Sequence, residues 1–227
     1  LVPEWPLAYW WSESTLQLYE TQPLLGSVAP SRKGTWTSDN ARFLRRSNEV
    51  SAGKIYAAGI SRGRYAMNHW FAYVGGAKDK EWIDPVSELI DWRRSGLELK
   101  LVLESRHGVY PQGTDFFFRI GVAFSQIGST CRARVHRTAG IFGGKGSSVF
   151  PESPEEVACL INSSLARDIL ISLNPGIGFE LGDVSRLPYV PLASSRKVFD
   201  QLFDSFRLGQ ERKEISLEFH YPGPSPW

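Results

Sequence analysis

Hydrophobic and polar positions along the chain follow two different periods, and the helical period is clearest in the second half. Within SPEEVACLINSSLARDIL, apolar residues recur every three or four positions between Val157 and Ile169, which is the spacing of one buried helix face. Ser153, Pro154 and Glu156 come before them in the order of a capping box. The pattern predicts a single capped helix over this whole segment, ended by LNPG.

Helical spacing also appears near both ends of the sequence. Pro6 suits a first helical turn, and the apolar residues after it predict a helix over about residues 7–20. Asp39 or Asn40 can cap a short helical turn in TSDNARFLRR. A stripe of valine, leucine and phenylalanine predicts a last helix over about residues 195–208, with Gly209 at its exit. ISLEFHY, further on, is compatible with a terminal strand.

The middle of the chain combines both periods. Asp84, Pro85 and Val86 have the order of a cap and a first helical turn, so a short helix is predicted up to Gly96. In LELKLVLE, leucines alternate with other residues, and this period of two predicts a strand. FFFRIGVAFSQI, ARVHRT and GIFGGKGSSVF predict three more strands joined by Gly and Ser turns. Because helices and strands do not alternate regularly, we expect an α+β fold with mixed or antiparallel sheets and several packed helices.

Length and composition indicate a globular protein. The chain has 227 residues, of which 42% are hydrophobic, so it can bury a full core as one large unit, with possible sub-lobes 1–110 and 111–227. It begins at Leu1 and its only methionine is Met67, so we expect a fragment of a longer protein. No apolar run approaches the roughly 18 residues that span a bilayer, and no signal-peptide layout is present. A cytoplasmic protein without a membrane partner is expected.

Positive charge is concentrated in a few places. The net charge is only +2, from 26 Lys+Arg and 24 Asp+Glu, which excludes a protein that coats nucleic acid through an overwhelming positive field. Arg42, Arg45 and Arg46 have the i, i+3, i+4 spacing of one helical face. With Arg32 and Lys33 nearby, they could contact DNA phosphates. A solvated helix face explains the same spacing.

A second group of donors alternates along a predicted strand. Arg132, Arg134 and His136 would project from one face of that strand, where arginine's planar fork can bind guanine edges or phosphates. A solvated sheet face with ion pairs is the alternative. Lys145, in the GGKG turn, is expected to be exposed and could also touch a phosphate. This turn lacks both the spacing and the following helix of a P-loop.

Catalytic motifs receive little support. The N/D/S-P-P-Y/F tetrapeptide of adenine methyltransferases is absent, and the nearest string, NPGI from Asn174, is interpreted as a helix stop. Asp91, Glu98 and Lys100 are the residue types of a magnesium-dependent nuclease. A helix position for Asp91 and a polar strand face for the other two explain them equally well. No G-x-S-x-G nucleophile elbow occurs.

A succession of longer motifs is more specific. They run from about Leu7 to Pro191 and are, in order, AYWWSE, GTWTSDNARFLR, W-x-x-Y-x-G-G at 70–76, IDWRRSGLELK, FFRIGVAFSQI, GSSVFP, LINSSLA and NPGIGFELGDVSRLP. The chain resembles the C-terminal, TaqI-like specificity region of the large adenine-specific DNA methyltransferases of BREX phage-defence systems and of related type IIG-like restriction-modification enzymes. It departs from that pattern at Ser38, where the family usually has glycine, at Ser47 and Asn48, which replace an aromatic pair, and at Phe124, which replaces tryptophan.

The resemblance implies that residues 1–227 form a target recognition domain that binds double-stranded DNA. A methyltransferase domain elsewhere in the same polypeptide would bind S-adenosylmethionine and methylate the flipped adenine, so no catalytic, cofactor or metal residue is expected in this chain. The alternatives are the nuclease and a protein-interaction module of the same defence system. The residues predicted to contact DNA are Arg32, Lys33, Arg42, Arg45, Arg46, Arg132, Arg134, His136 and Lys145.

Overall fold

The computed structural model describes residues 11–60, 69–76 and 82–223. In chain order its helices are α1 (Glu13–Thr21), α2 (Leu25–Val28), α3 (Asn40–Phe43), α4 (Arg93–His107), α5 (Pro154–Ile161), α6 (Ser164–Leu173), α7 (Leu181–Ser185) and α8 (Ser195–Glu211). Its strands are β1 (Ser31–Arg32), β2 (Leu44–Arg46), β3 (Ile55–Tyr56), β4 (Trp70–Val74), β5 (Trp82–Ile83), β6 (Glu88–Asp91), β7 (Val122–Phe124), β8 (Ala133–Val135), β9 (Ile141–Phe142) and β10 (Ser148–Val149). The predicted α+β class is confirmed.

The strands form two mixed sheets. The first has the order β1-β10-β7-β8-β5, with β5 parallel to β8 and the other pairs antiparallel. The second has the order β2-β6-β4-β3, and β9 also pairs with β4, in parallel, beyond the end of β3. Both sheets combine strands from before and after residue 110, and the division into sub-lobes stays a prediction.

Each sheet has its own apolar core. Helices α5, α6, α7 and α8 cover the first sheet, and their buried side chains surround Phe124 and Val135. The second core is largely aromatic, with Phe71, Phe117 and Phe142 packed beneath α4. Ring centroids of Phe117 and Phe142 lie 5.6 Å apart in an edge-to-face arrangement, which is a favourable geometry for aromatic pairs.

The predicted helix over residues 84–96 is wrong, because this segment forms a turn and then strand β6. The Asp84 side chain accepts the backbone N–H of Val86 at 2.7 Å, which closes a turn instead of capping a helix. Leu89 and Ile90 are then fully buried in the second sheet, between β2 and β4. The helix was predicted because Val86, Leu89 and Ile90 have the spacing of an apolar helical stripe, but Leu89 and Ile90 are neighbours in a central strand and Val86 lies in the turn before it.

The predicted strand LELKLVLE is also wrong, because these residues form α4. Leu99 and Leu103 are fully buried, whereas Leu97 and Leu101 are exposed. Leucines at every second position include pairs four residues apart, so the same run satisfies one face of a helix as well as one face of a strand. Packing against the second sheet selects the helix.

The predicted single helix after Ser153 is divided into α5 and α6. Between them, Asn162 leaves the helix to bind the backbone of Ala133, with bonds of 2.8 and 2.9 Å to its N–H and carbonyl. The side chain of Ser163 then caps α6 at the N–H of Ala166. The predicted capping box is wrong: the Glu156 carboxylate instead accepts the hydroxyl of Tyr189.

Predictions near the chain ends are confirmed in part. Ser12 caps α1, which begins at Glu13, and the earlier part of the predicted helix lies outside the described residues. Asp39 caps α3, as expected, by accepting the N–H of Arg42 at 3.1 Å. Helix α8 continues through Gly209, so the predicted exit there is wrong. Residues 215–221 form turns and not a strand.

In the three described stretches of chain, no helix has both the length and the apolar character that crossing a membrane requires.

Candidate nucleic-acid interface

Two of the predicted DNA contacts, Arg134 and His136, are buried. Strand β8 lies between β7 and β5 in the first sheet, so both of its edges are paired, and all three of its residues are buried. Each of the two residues is only 2% exposed. The exposed row of donors expected from the period of two is therefore wrong for these residues. Arg132, half-buried before the start of β8, remains at the surface and donates Nε to Thr130 Oγ1 at 3.1 Å.

The Arg134 guanidinium has two buried partners. Its Nε lies 2.9 Å from Asp84 Oδ2, and both side chains are at most 4% exposed. Its Nη2 donates a 2.8 Å hydrogen bond to the carbonyl of Gly75, which follows β4 of the second sheet. A charge in such a place is tolerated only when it is paired and hydrogen-bonded. Arg134 therefore joins the two sheets instead of meeting a ligand.

His136 is held as a neutral ring. Its Nε2 forms a 2.9 Å hydrogen bond with Ser148 Oγ, and the rings of Phe142 and Phe150 lie beside it. Burial lowers the pKa of His136 to about 4, since it disfavours the charged imidazolium; Asp84 opposes this shift. An uncharged, enclosed imidazole cannot serve as a cationic contact for DNA at neutral pH.

Arg42, Arg45 and Arg46 do not share a helical face. Arg42 lies in α3 and pairs with Glu98 at 3.3 Å, whereas Arg45 and Arg46 lie in β2. The Nη1 of Arg45 donates to two backbone carbonyls, and its guanidinium lies 5.5 Å from the centre of the Trp70 ring. Arg46 is exposed. The single basic patch predicted from the spacing is therefore divided between two elements.

The three residues of the nuclease hypothesis have the opposite secondary structure to the one predicted. Asp91 lies in strand β6, and Glu98 and Lys100 lie in helix α4. Arg93 Nη2 is 2.7 Å from Asp91 Oδ2 and 3.5 Å from Glu98 Oε2, so one arginine links both carboxylates. Among the residues that the structure describes, no group of three or more His, Cys, Asp and Glu could hold a metal ion. This arrangement gives the nuclease hypothesis no support.

Loops that follow strands of both sheets border a concave surface of about 990 Å³, which we call the cleft. Two of the predicted DNA contacts, Lys33 and Lys145, line it. Arg32 is the last residue of β1 and precedes Lys33; its guanidinium lies 4.6 Å above the Phe116 ring and 3.7 Å from Asp115. The described residues that line the cleft are Lys33, Gly34, Trp36, Thr37, Ser38, Asn40, Leu44, Tyr73, Gly75, Gly76, Glu88, Gln112, Gln126, Gly144 and Lys145.

Close backbone packing builds the wall of the cleft and explains its glycines. Thr35 donates to the carbonyl of Phe142 at 3.0 Å and accepts from Gly144 at 2.8 Å. A Cβ on Gly34, which lines the cleft, would lie 2.1 Å from the carbonyl oxygen of Phe142, and one on Gly146, beside Lys145, would lie 2.5 Å from the carbonyl of Gly75. Glycine is thus required by these contacts. The GGKG segment is a turn between β9 and β10 that exposes Lys145, as predicted.

One tryptophan lines the cleft, and its ring packs against a histidine. Trp36 is 43% exposed, and its ring centre lies 4.7 Å from that of His107. His107 Nε2 in turn forms a 2.8 Å hydrogen bond with Ser38 Oγ. Ser38 has a φ of 59°, a backbone region that favours glycine. The indole is therefore a partly exposed aromatic surface with a fixed support.

The remaining polar groups of the cleft are three amides, the hydroxyls of Thr37, Ser38 and Tyr73, and the carboxylate of Glu88. Asn40, Gln112 and Gln126 line it, and Asn40 accepts a hydrogen bond from the hydroxyl of Thr37. Amide side chains can pair with base edges as both donors and acceptors. Sequence reasoning did not single out Trp36 or these amides: Trp36 and Asn40 lie within the quoted motif GTWTSDNARFLR, but Gln112 and Gln126 come from distant segments that no short motif connects to it.

Neither the known protein families nor the curated proteins give a match to this chain.

Proposed function

We propose that this chain binds double-stranded DNA in the cleft as the target recognition domain of an adenine-specific, S-adenosylmethionine-dependent DNA methyltransferase of a phage-defence or restriction-modification system. The observation that carries the proposal is one aromatic surface, Trp36, in a cleft that also presents the cations Lys33 and Lys145 and several amides. The cofactor and the methyl transfer belong to the methyltransferase domain of the parent polypeptide. The chain itself then acts in recognition and not in catalysis.

The residues of the cleft divide naturally into two roles. Lys33 and Lys145 can neutralise phosphates, which fixes the position of the duplex without reading its sequence. Gln112, Gln126 and Asn40 can pair with base edges, where an amide is the usual partner of adenine. Arg32, Arg42, Arg45, Arg46 and Arg132 stay proposed as surface contacts, whereas Arg134 and His136 are left out because they are buried.

The backbone conformation of Ser38 supports the resemblance. In the family that the chain resembles, this position usually holds glycine, and here the residue has a φ of 59°, which glycine adopts most easily. The serine side chain is also used, since it supports His107 behind Trp36. The backbone turn expected at a family glycine is thus retained beside the cleft.

Removing the two cleft lysines tests the phosphate role. For Lys33→Ala combined with Lys145→Ala, we expect the slope of log affinity against log salt to become shallower by about two units, because each lost phosphate contact removes about 0.9 unit. The loss of affinity should be similar on all duplex sequences. Fluorescence anisotropy of labelled duplexes at several salt concentrations measures both quantities.

The matched control combines Lys54→Ala with Lys197→Ala, two exposed lysines that do not line the cleft. It should leave the salt slope nearly unchanged. Equal effects of the two double variants would contradict binding in the cleft.

A further inference from the structure

One carboxylate, that of Glu88, lies in a cleft whose other charged side chains are cations. Among the described residues that line the cleft, the other charges are those of Lys33 and Lys145. Glu88 begins β6, is half-buried, and is the Cα partner of Tyr73 in β4 and of Arg46 in β2. A negative charge at this place weakens the field that attracts DNA phosphates. Its presence therefore needs an explanation other than phosphate binding.

The carboxylate of Glu88 lies against the backbone of the cleft. A Cβ on Gly75 would lie 2.5 Å from Glu88 Oε2, so the glutamate side chain fills the space beside this glycine. Gly75 itself lines the cleft, and its carbonyl accepts the 2.8 Å hydrogen bond from Arg134. Burial raises the pKa of Tyr73, another residue of the cleft, and the nearby charge of Glu88 raises it further. The oxygen atoms of Glu88 are therefore close to the surface on which DNA is proposed to bind.

The acceptor capacity of Glu88 is not used inside the folded chain. In the part of the chain that the structure describes, the carboxylate has no hydrogen-bond donor, and Arg46, opposite it in β2, forms no ion pair with it. Asp91, at the other end of the same strand, is by contrast paired with Arg93 at 2.7 Å. Both oxygen atoms of Glu88 can thus accept N–H groups from a ligand.

A carboxylate selects among the groups that duplex DNA presents. It is repelled by the negative phosphates, whereas the base edges offer N–H donors. In the major groove these donors are the amino groups on cytosine N4 and adenine N6. Adenine places the acceptor N7 beside its amino group, which suits an amide such as Gln112 or Gln126 and not a carboxylate. Cytosine, which presents a donor without that acceptor, is the base that Glu88 fits.

We propose that Glu88 makes DNA binding specific for a cytosine, by accepting a hydrogen bond from the N4 amino group in the major groove. This inference rests on the proposed function and names one base of the sequence that the cleft recognises. The carboxylate acts in two ways, since it attracts the cytosine amino group and repels phosphates that enter the cleft in another position. Lys33 and Lys145 then bind phosphates while a base edge faces Glu88.

The test uses the full chain and separates these two effects. The probe is the duplex that the unchanged chain enriches most from a pool with a randomised centre, and each of its C·G pairs is replaced in turn by T·A. Glu88→Gln keeps the size of the side chain and removes its charge. The matched control is Glu20→Gln, an exposed glutamate on α1 that does not line the cleft. Because Glu88 has no partner in the described part of the chain, thermal unfolding should be the same for all three proteins.

We expect the unchanged chain and the Glu20→Gln control to lose at least about fivefold in affinity when one particular C·G pair is replaced. For Glu88→Gln, the same replacement should cost less than about twofold, because the acceptor that distinguishes the two pairs is gone. Glu88→Gln should also bind a scrambled duplex at least as tightly as the unchanged chain does, since the repulsion of phosphates is removed. A purely structural defect would weaken binding to both duplexes.

Three results would overturn the role of Glu88 and leave the proposed function standing. They are an enriched duplex in which no C·G pair matters to the unchanged chain, an equal loss at that pair for Glu88→Gln, and weaker binding of scrambled DNA by Glu88→Gln. If the unchanged chain enriches no duplex, the proposed function fails, and the cytosine contact fails with it.

Discussion

Replacing Arg134 with methionine is expected to destabilise the folded chain by about 3–5 kcal/mol, the usual cost of leaving one member of a buried ion pair alone. The Asp84 carboxylate, 4% exposed, would lose the guanidinium at 2.9 Å. The carbonyl of Gly75 would also lose its 2.8 Å donor. Urea unfolding followed by tryptophan fluorescence measures the change.

Two controls define the cause of this loss. Arg196→Met removes an exposed arginine at the start of α8 and should change the free energy of unfolding by about 0.5 kcal/mol or less. Adding Asp84→Asn to Arg134→Met removes the unpaired charge but keeps an acceptor for Val86, so it should restore part of the lost stability. A change below about 1 kcal/mol for Arg134→Met would contradict the buried pair.

Acid is expected to weaken the fold through His136. The unfolded side chain takes up a proton below its ordinary pKa of about 6.5, whereas the folded one does so only near a pKa of about 4, because burial excludes the charged ring. Its contribution to stability is therefore complete above pH 6.5 and decreases as the pH falls toward 4. The shift corresponds to about 3 kcal/mol over that range.

The measurement compares unfolding free energies across this pH range for the unchanged chain and for His136→Gln. Glutamine has no titrating group, so the unfolding free energy of the variant should change less steeply with pH. The difference in slope should correspond to the uptake of up to one proton, even if the variant is less stable at pH 7. His220→Gln, an exposed control, should follow the unchanged chain. Parallel curves for the unchanged chain and His136→Gln would show that burial of the imidazole does not control this stability.

Local patterns located helix α8 and four of the strands. Helix α8 was predicted because its stripe around Phe199 packs on the first sheet, and β7, β8, β9 and β10 lie within the predicted strands. LELKLVLE failed because its leucine spacing fits two secondary structures and only tertiary packing decides between them. The break between α5 and α6 depends on Asn162 reaching Ala133, a contact across 29 residues that no local pattern contains.

The same limit applies to charged residues. Arg132, Arg134 and His136 have the spacing of an exposed strand face, but β8 lies inside a sheet and Arg134 finds Asp84 fifty residues earlier in the chain. The exposure of Lys33 and Lys145 could be predicted, because short turns expose lysine whatever the fold. The exposure of Trp36 could not be predicted, since the usual place for tryptophan is a core, and its contact with His107 joins residues far apart in the sequence.

Selection of duplexes from a pool with a randomised centre tests sequence-dependent DNA binding by this chain most directly. Repeated rounds of capture on the immobilised full chain should enrich one common sequence, bound at least about a thousandfold more tightly than a scrambled duplex at physiological salt. Trp36→Ala should weaken that binding, because the duplex would lose its apolar contact with the indole, whereas the exposed-aromatic control Tyr221→Ala should not. A pool that stays random after capture, or an enriched duplex whose binding is the same for Trp36→Ala and for the unchanged chain, would contradict recognition in the cleft.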